Sequence, residues 1–154
     1  MSVELVKKYF EGTELAGKVL EFPTSSATVE LAAVAVGTEP DRIAKTMAFL
    51  LGEEAIVIVV SGMSRIDNKK FKVQFHTKAK MIPFASVEEY LGHPPGGVCP
   101  FALKEGVKVY LDVSLRDHET VFPAAGSENS AVETTIDQLE RFTSFEDWVD
   151  VCKK

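Results

Sequence analysis

The chain has few of the residues from which metal centres and disulfide frameworks are built. Its 154 residues include two cysteines, Cys99 and Cys152, and three histidines, His76, His93 and His118. They form no CxxC motif and no Cys/His cluster, so the sequence predicts neither a zinc site nor a disulfide framework. We therefore expect a protein without metal or cofactor, in the reducing environment of the cytoplasm.

Long apolar runs and an excess of positive charge are also missing. The longest apolar run, Ala55–Val60, is far shorter than the ~20 residues that span a bilayer, and no apolar export signal is visible. The chain carries 17 basic and 23 acidic residues, a net charge of −6. This balance argues at first sight against a nucleic-acid partner, because phosphate binding depends on Lys and Arg. We predict that neither a membrane nor DNA is a partner.

The composition that remains is typical of one globular domain, which we predict over residues 1–154. The β-branched run Ala55–Ser61 predicts a central strand covered on both faces. Helices and strands alternate irregularly along the chain, which indicates an α/β (α+β) fold with a mixed sheet. Helices are predicted at 3–10, after the capping residues 24–26 as far as Gly37, from 39, and at 67–75, 86–91, 137–142 and 145–151. Strands are predicted at 18–22, from 45, and at 55–61, 107–113, 120–123 and 131–135.

Two glycine-rich segments and one lysine are the candidate functional features. In His93–Phe101, prolines fix both ends and two glycines remove Cβ where another group could approach. This segment is either a rigid turn or a loop whose amides bind an oxyanion or a ligand carbonyl. A second glycine turn, Pro123–Ser127, would form the opposite wall of such a cleft. Lys45 lies in the otherwise uncharged stretch Ile43–Leu51, so its ammonium either extends to the surface or points into a cavity.

These motifs, in this order and spacing, resemble the YbaK/EbsC family, the editing domains associated with prolyl-tRNA synthetase. The resemblance rests on Ile43–Thr46, Ala55–Val60, Gly96–Phe101 and Thr120–Ser127, and it covers roughly residues 20 to 150. It implies a single compact YbaK-like domain with a mixed, mostly antiparallel sheet flanked by helices. It also implies a metal-independent hydrolase that deacylates mischarged aminoacyl-tRNA, free-standing or associated with a synthetase.

The resemblance also implies roles for individual residues. Lys45 matches the family lysine that faces the pocket, where its ammonium would hold the terminal adenosine phosphate or orient the ester. Gly96–Pro100 matches the G-x-x-x-P loop that bounds the aminoacyl pocket, and Ala125–Ser127 lies at the glycine turn facing it. The implied catalytic residues are Lys45, Gly96 and Gly97, and the implied substrate-binding residues are Val98, Cys99, Pro100, Ala125, Gly126 and Ser127.

No nucleophile or general base is assigned from the sequence. Cys99 has no evident base, and neither His93 nor His118 matches a catalytic position of the family. We expect instead that water attacks the ester, that amides near Gly96 and Gly97 stabilise the oxyanion, and that the terminal 2′-hydroxyl of the tRNA assists proton transfer. The alternatives are a module that binds the tRNA acceptor end or a synthetase without catalysis, and a hydrolase of small esters or nucleotides.

The substrate is predicted only by class. Members that resemble the cysteinyl-tRNA(Pro) deacylase have a glycine-rich turn followed by an acidic residue, whereas this chain reads Ser127–Ala131 as Ser-Glu-Asn-Ser-Ala. The amino acid is therefore alanine, serine, threonine or cysteine, carried by tRNA(Pro) or another tRNA. The segment 65–80 has six basic residues and one acidic residue, 6 − 1 = +5, and is either a solvated face or the site of the acceptor stem. The predicted tRNA-binding residues are Arg65, Lys69, Lys70 and Lys72.

Overall fold

Five α-helices and ten strands are found in the computed structural model, which describes residues 2–154. The helices are α1 (Ser2–Tyr9), α2 (Val29–Val36), α3 (Asn68–Phe75), α4 (Val87–Leu91) and α5 (Ile136–Phe142). The strands are β1 (Leu20–Glu21), β2 (Ile43–Leu51), β3 (Glu54–Ser61), β4 (Arg65–Ile66), β5 (Lys108–Asp112), β6 (Thr120–Pro123), β7 (Ser130–Ala131), β8 (Thr134–Thr135), β9 (Asp147–Val149) and β10 (Cys152–Lys153). None of the described helices is long and apolar enough to cross a bilayer.

A six-stranded sheet in the order β8-β6-β2-β3-β5-β9 forms the centre of the domain. Two small ribbons, β1 with β7 and β4 with β10, flank it. Across these described strands, four of the seven pairings are antiparallel and three are parallel. The predicted α+β class with a mixed sheet is confirmed, but within the six-stranded sheet three of the five pairings are parallel, so this sheet is not mostly antiparallel.

The central strand β3 carries the core on both of its faces, as its sequence predicts. Val57 and Val59 pack on the side covered by α1, α4 and α5. Ile56, Ile58 and Val60 pack on the other side, against Phe71 of α3 and the C-terminal segment. Because side chains alternate along a strand, an unbroken β-branched run fills two cores at once.

The region before β2 differs from its prediction in two details. Helix α2 is capped by Thr28, whose side chain accepts from the Leu31 N–H, and residues 24–26 lie outside the helix. Gly37 ends α2 in the left-handed conformation, as predicted. The helix predicted from residue 39 is a single 3-10 turn, Pro40–Arg42, and β2 begins directly after it at Ile43. The eight antiparallel pairs between β2 and β3 favour the strand over helix continuation.

The C-terminal prediction was wrong in one element. Residues 145–151 do not form a helix, because Asp147–Val149 pairs in parallel with β5 and completes the edge of the sheet. Val149 and Val151 alternate into the core below α3. The strand predicted at 131–135 is two short strands, and they pair with different partners, β1 and β6.

Candidate active site

A small cleft opens where α2, the start of β2 and the loop 94–98 meet, and we call it the first cavity. Its volume is about 130 Å³, whereas pockets for drug-sized ligands measure ~300–1,000 Å³. Its wall is mainly apolar and is built largely of small side chains, among them Ala27, Val29, Ala32, Ala44, Val98 and Ala124. The first cavity therefore suits a group of only a few non-hydrogen atoms.

Lys45 lines the first cavity from β2, as the resemblance implies. The side chain is partly buried, and within residues 2–154 no carboxylate lies within ion-pair distance of its Nζ. Burial lowers the pKa of Lys45; the negative charge of Glu30 partly opposes this shift, and the positive charge of Arg65 adds to it. The ammonium is thus partly desolvated with no carboxylate of the described residues in direct contact, an environment in which a bound phosphate or polarised ester would be held strongly.

The proline–glycine loop forms the next wall, through a 3-10 turn at Pro95–Gly97. A Cβ on Gly97 would lie 2.5 Å from the Gly126 carbonyl carbon and 2.6 Å from the Ser127 nitrogen, so the two loops touch backbone to backbone. The Gly97 N–H donates to the Pro94 carbonyl oxygen at 2.8 Å. This corrects the expectation that Gly97 supplies an oxyanion donor, because its only N–H is already used. Gly96 lies one position earlier in the turn, where a backbone N–H has no acceptor within the turn.

The glycine turn at Gly126 faces a different space from the one that Lys45 lines. Gly126, Ser127, Gly96 and Gly97 border a second cavity of about 470 Å³. The Ser127 hydroxyl lies 2.9 Å from Asn129 Oδ1 and 2.8 Å from Ser130 Oγ, so it is held within its own turn. Gly96 borders both cavities and separates them. The sequence placed all these residues around one pocket, whereas the structure distributes them over two.

Three of the predicted substrate-binding residues lie in the core. Cys99 and Ala125 have no exposed surface, and Pro100 is buried. Burial raises the pKa of the Cys99 thiol to about 12, which removes the thiolate that a nucleophile would need. Of the described side chains that line the first cavity, only Val98 comes from the predicted substrate-binding set. We therefore exclude Cys99, Pro100 and Ala125 from direct contact with the substrate.

The histidines serve the fold. His93 is fully buried, with Nδ1 bonded to Ser2 Oγ and Nε2 2.6 Å from the Phe101 carbonyl oxygen. Burial also lowers the pKa of His93, which favours its neutral form. His118 Nε2 lies 2.7 Å from Asp41 Oδ2. Neither histidine is among the described residues that line the first cavity, and no group of three or more His, Cys, Asp or Glu side chains in residues 2–154 is arranged to hold a metal ion.

The predicted tRNA-binding cations are exposed on β4 and α3, but they are not equivalent. Lys70 Nζ bonds Asp150 at 3.1 Å and the Cys152 carbonyl oxygen at 3.0 Å, so it ties α3 to the C-terminal segment. Helical spacing places Lys69 and Lys72 on the other flank of α3, and Arg65 lies just before the helix. None of these three has an ion-pair partner among the described residues. We call Arg65, Lys69 and Lys72 the basic face.

Thr46 is a cavity residue that sequence reasoning missed. It lines the first cavity, and its Oγ1 is buried without a hydrogen-bond partner among the described residues. A buried hydroxyl in this state is costly unless a ligand or water satisfies it. Its sequence signals are its position directly after Lys45 and its place in the Ile43–Thr46 motif. Helix α2 was missed as a wall of the site for a different reason, since its apolar sequence indicates only a buried helix.

Comparisons with known proteins identify the family of this chain. Residues 24–142 match the family described as "Aminoacyl-tRNA editing domain". The chain is 47% identical to the uncharacterized protein YwhH of Bacillus subtilis (strain 168), over 99% of this chain and 98% of that protein. It is also similar to a crystal structure of a candidate trans-editing enzyme for prolyl-tRNA synthetase, with 28% identity and a TM-score of 0.88, over 99% of this chain and 98% of the other.

A second crystal structure, of the hypothetical protein APE2540, has 26% identity and a TM-score of 0.79, over 88% of this chain and 90% of the other. The family match extends over more than half of the chain and includes Lys45, β3 and both glycine loops. This protein therefore belongs to the YbaK-like family of aminoacyl-tRNA editing domains.

Proposed function

We propose that this protein hydrolyses the ester bond of mischarged aminoacyl-tRNA, acting on tRNA(Pro) or another tRNA that carries a small amino acid. The observation that carries the proposal is the first cavity, where an ammonium without an ion-pair partner among the described residues lies beside a small apolar space. Membership of the editing family supports the same reaction class. The reaction releases the free amino acid and leaves the 3′-terminal ribose with both of its hydroxyls.

The mechanism needs no protein nucleophile, because an aminoacyl ester is already activated relative to an amide. Water adds to the carbonyl carbon, the Gly96 N–H stabilises the developing oxyanion, and the ester oxygen of the ribose leaves with a proton. The neighbouring 2′-hydroxyl of the tRNA relays that proton. Lys45 holds the terminal phosphate and so fixes the ester against the loop. The proposed catalytic residues are therefore Lys45 and Gly96.

The size of the first cavity favours a small side chain. A space of about 130 Å³ bordered by Ala27, Ala32 and Ala124 admits alanine, serine, threonine or cysteine and leaves little room for a larger group. The orphan hydroxyl of Thr46 adds one hydrogen-bonding group to this wall. A polar wall group of this kind favours a substrate that can satisfy it, which makes serine and threonine strong candidates beside alanine.

The test is a deacylation panel. tRNA(Pro) and other tRNAs are charged with Ala, Ser, Thr or Cys and incubated with catalytic amounts of the protein, and free amino acid is measured. Release over many turnovers from at least one small aminoacyl ester is expected. Binding without release of amino acid would favour the alternative of a non-catalytic module, and rapid hydrolysis of small esters that lack the tRNA would indicate the third class.

Lys69→Gln or Lys72→Gln is expected to weaken the binding of every tRNA, whatever its nucleotide sequence, and to make that binding less dependent on salt concentration. Each lost phosphate contact reduces the slope of log K against log salt by about 1 and the affinity several-fold. Binding of mischarged tRNA is measured between low and physiological salt. Lys70→Gln is the matched control on the same helix, because Lys70 is already paired with Asp150. Equal slopes for all three variants and the unmodified protein would contradict a role for the basic face.

A further inference from the structure

Glu128 is an exposed carboxylate without an ion pair that lies against the loop separating the two cavities. A methyl group built on Gly96 would be 3.1 Å from Glu128 Cβ and 3.6 Å from Glu128 Oε2. Within residues 2–154 the side chain of Glu128 has no hydrogen-bond or ion-pair partner, and it lines the second cavity. A negative charge is thus placed next to Gly96, the residue whose N–H the proposed mechanism uses as oxyanion donor.

The backbone around Glu128 is held in place. The Glu128 carbonyl oxygen accepts from the Ser26 N–H at 2.6 Å and from the Ser26 hydroxyl at 3.1 Å. At the next residue, the Asn129 carbonyl accepts from the Phe22 N–H at 2.8 Å, and the Asn129 side-chain amide donates to the Phe22 carbonyl at 2.9 Å. Ser26 itself lines the first cavity. The backbone from which the Glu128 side chain extends is therefore held against a residue of the first cavity, which limits the positions that the carboxylate can reach.

In an aminoacyl ester, the positively charged α-ammonium lies close to the ester carbonyl. Its α-nitrogen is bonded to the carbon next to the carbonyl, so a group that binds the ammonium must lie within a few ångströms of the group that binds the carbonyl oxygen. Gly96 and Glu128 satisfy this requirement. We propose that Glu128 binds the free α-ammonium of the aminoacyl group and makes the protein selective for aminoacyl esters over N-blocked esters.

This inference rests on the proposed function. It assigns a cationic residue of the protein to the phosphate end of the substrate and an anionic residue to its amino end. Lys45 faces the phosphate and ribose from β2, and Glu128 faces the ammonium from the other side of Gly96. An N-acetylated or peptidyl ester has lost the cation, so it would leave the carboxylate without its partner. The protein would then discriminate against peptidyl-tRNA without needing to recognise the peptide itself.

The experiment combines one protein change with one substrate change. Glu128→Gln keeps the size of the side chain and removes its charge. We expect kcat/KM for the fastest substrate of the panel to fall about tenfold, the effect of losing one charge-assisted hydrogen bond at a partly exposed site. For the N-acetylated form of the same aminoacyl-tRNA, we expect the unmodified protein to be about tenfold slower and Glu128→Gln to have no further effect. Equal losses on both substrates, or no loss on either, would overturn the proposal.

A control variant and a binding measurement distinguish ammonium recognition by Glu128 from a general charge effect and from a failure of the proposed function. Glu88→Gln is the matched control, since Glu88 also lines the second cavity. It is expected to leave both rates unchanged, and a selective loss comparable to that of Glu128→Gln would assign the effect to the general charge of the cavity. Dissociation constants are measured with tRNA whose 3′ end carries the amino acid through a stable amide, with and without N-acetylation. This measurement tests ammonium recognition even if no ester is hydrolysed, an outcome that would refute the proposed function alone.

Discussion

Lys45→Ala is expected to lower kcat/KM for deacylation of mischarged tRNA by about 100-fold. The ammonium lies at the first cavity without a counter-ion among the described residues, so its hydrogen bonds are available to the substrate. Loss of hydrogen bonds to a charged group costs ~1.5–3 kcal/mol, and each 1.4 kcal/mol is about tenfold in rate. The measurement is single-turnover release of amino acid from the best substrate of the panel.

The stability of the same variant separates catalysis from folding. Since burial of Lys45 is not offset by an ion pair, its removal should leave the free energy of unfolding unchanged within about 1 kcal/mol or raise it. Lys108→Ala is the control, because Lys108 of β5 pairs with Glu54 of β3 and is not among the described residues that line the first cavity. Its deacylation rate should match that of the unmodified protein. Wild-type rates for Lys45→Ala on every mischarged tRNA would remove Lys45 from the mechanism.

Gly97→Ala is expected to lower the free energy of unfolding by about 3 kcal/mol and deacylation by ~10²–10³-fold. The new methyl group would lie 2.5–2.6 Å from backbone atoms of Gly126 and Ser127, which cannot move aside as a flexible side chain could. Relief of the clash must separate the two loops, and this moves Gly96 away from the ester. The rate loss is of the size seen when an oxyanion donor is removed. Chemical denaturation and single-turnover kinetics measure the two effects.

Gly96→Ala is the informative comparison for this prediction. Its methyl group would lie 3.1 Å from Glu128 Cβ, a contact that a shift of a few tenths of an ångström relieves, whereas the 2.5 Å approach at Gly97 requires a larger movement. We expect a loss of stability of about 1 kcal/mol, smaller than that of Gly97→Ala because the overlap is smaller. If the two variants were equally stable, the tight contact between the loops would not be a structural requirement.

Much of the architecture follows from local sequence signals. Ala55–Ser61 is predicted and found as a central strand, since a β-branched run this short and apolar on both faces suits a strand that is covered on both sides. Gly37 ends α2 because glycine adopts the left-handed conformation without strain. The helix predicted at 145–151 is wrong for the converse reason. Its pattern permits both structures, and only pairing with β5, which is distant in sequence, selects the strand.

The candidate site was likewise predicted only in part from the sequence. The sequence indicated Lys45 through its uncharged surroundings and indicated the two glycine loops through their composition. The family resemblance grouped Gly97, Cys99, Ala125 and Gly126 with the pocket, and no local pattern shows which side of an irregular loop faces a cavity. The structure shows Cys99 and Ala125 buried and the two glycines packed against each other. The two glycines allow the close approach of backbone segments that a Cβ would prevent.

The net charge of −6 shows that total charge is a poor guide to whether a chain binds nucleic acid. It argues at first sight against nucleic acid, yet the segment 65–80 carries a local charge of +5. The structure then divides that segment further, since Lys70 is bound to Asp150 while the basic face remains unpaired among the described residues. Charge that is counted over a chain cannot show which cations are already neutralised.

The sequence by itself determined the fold class, the central strand and the family, and through the family resemblance it indicated the lysine at the cavity, because each depends on local residue pattern or on an ordered set of motifs. The tertiary structure decided which loop faces which cavity, that Gly97 packs against Gly126, and that Glu128 lies against Gly96. These facts depend on contacts between segments about 30 residues or more apart. Such contacts are selected by the packing of the whole core, and no local pattern encodes them.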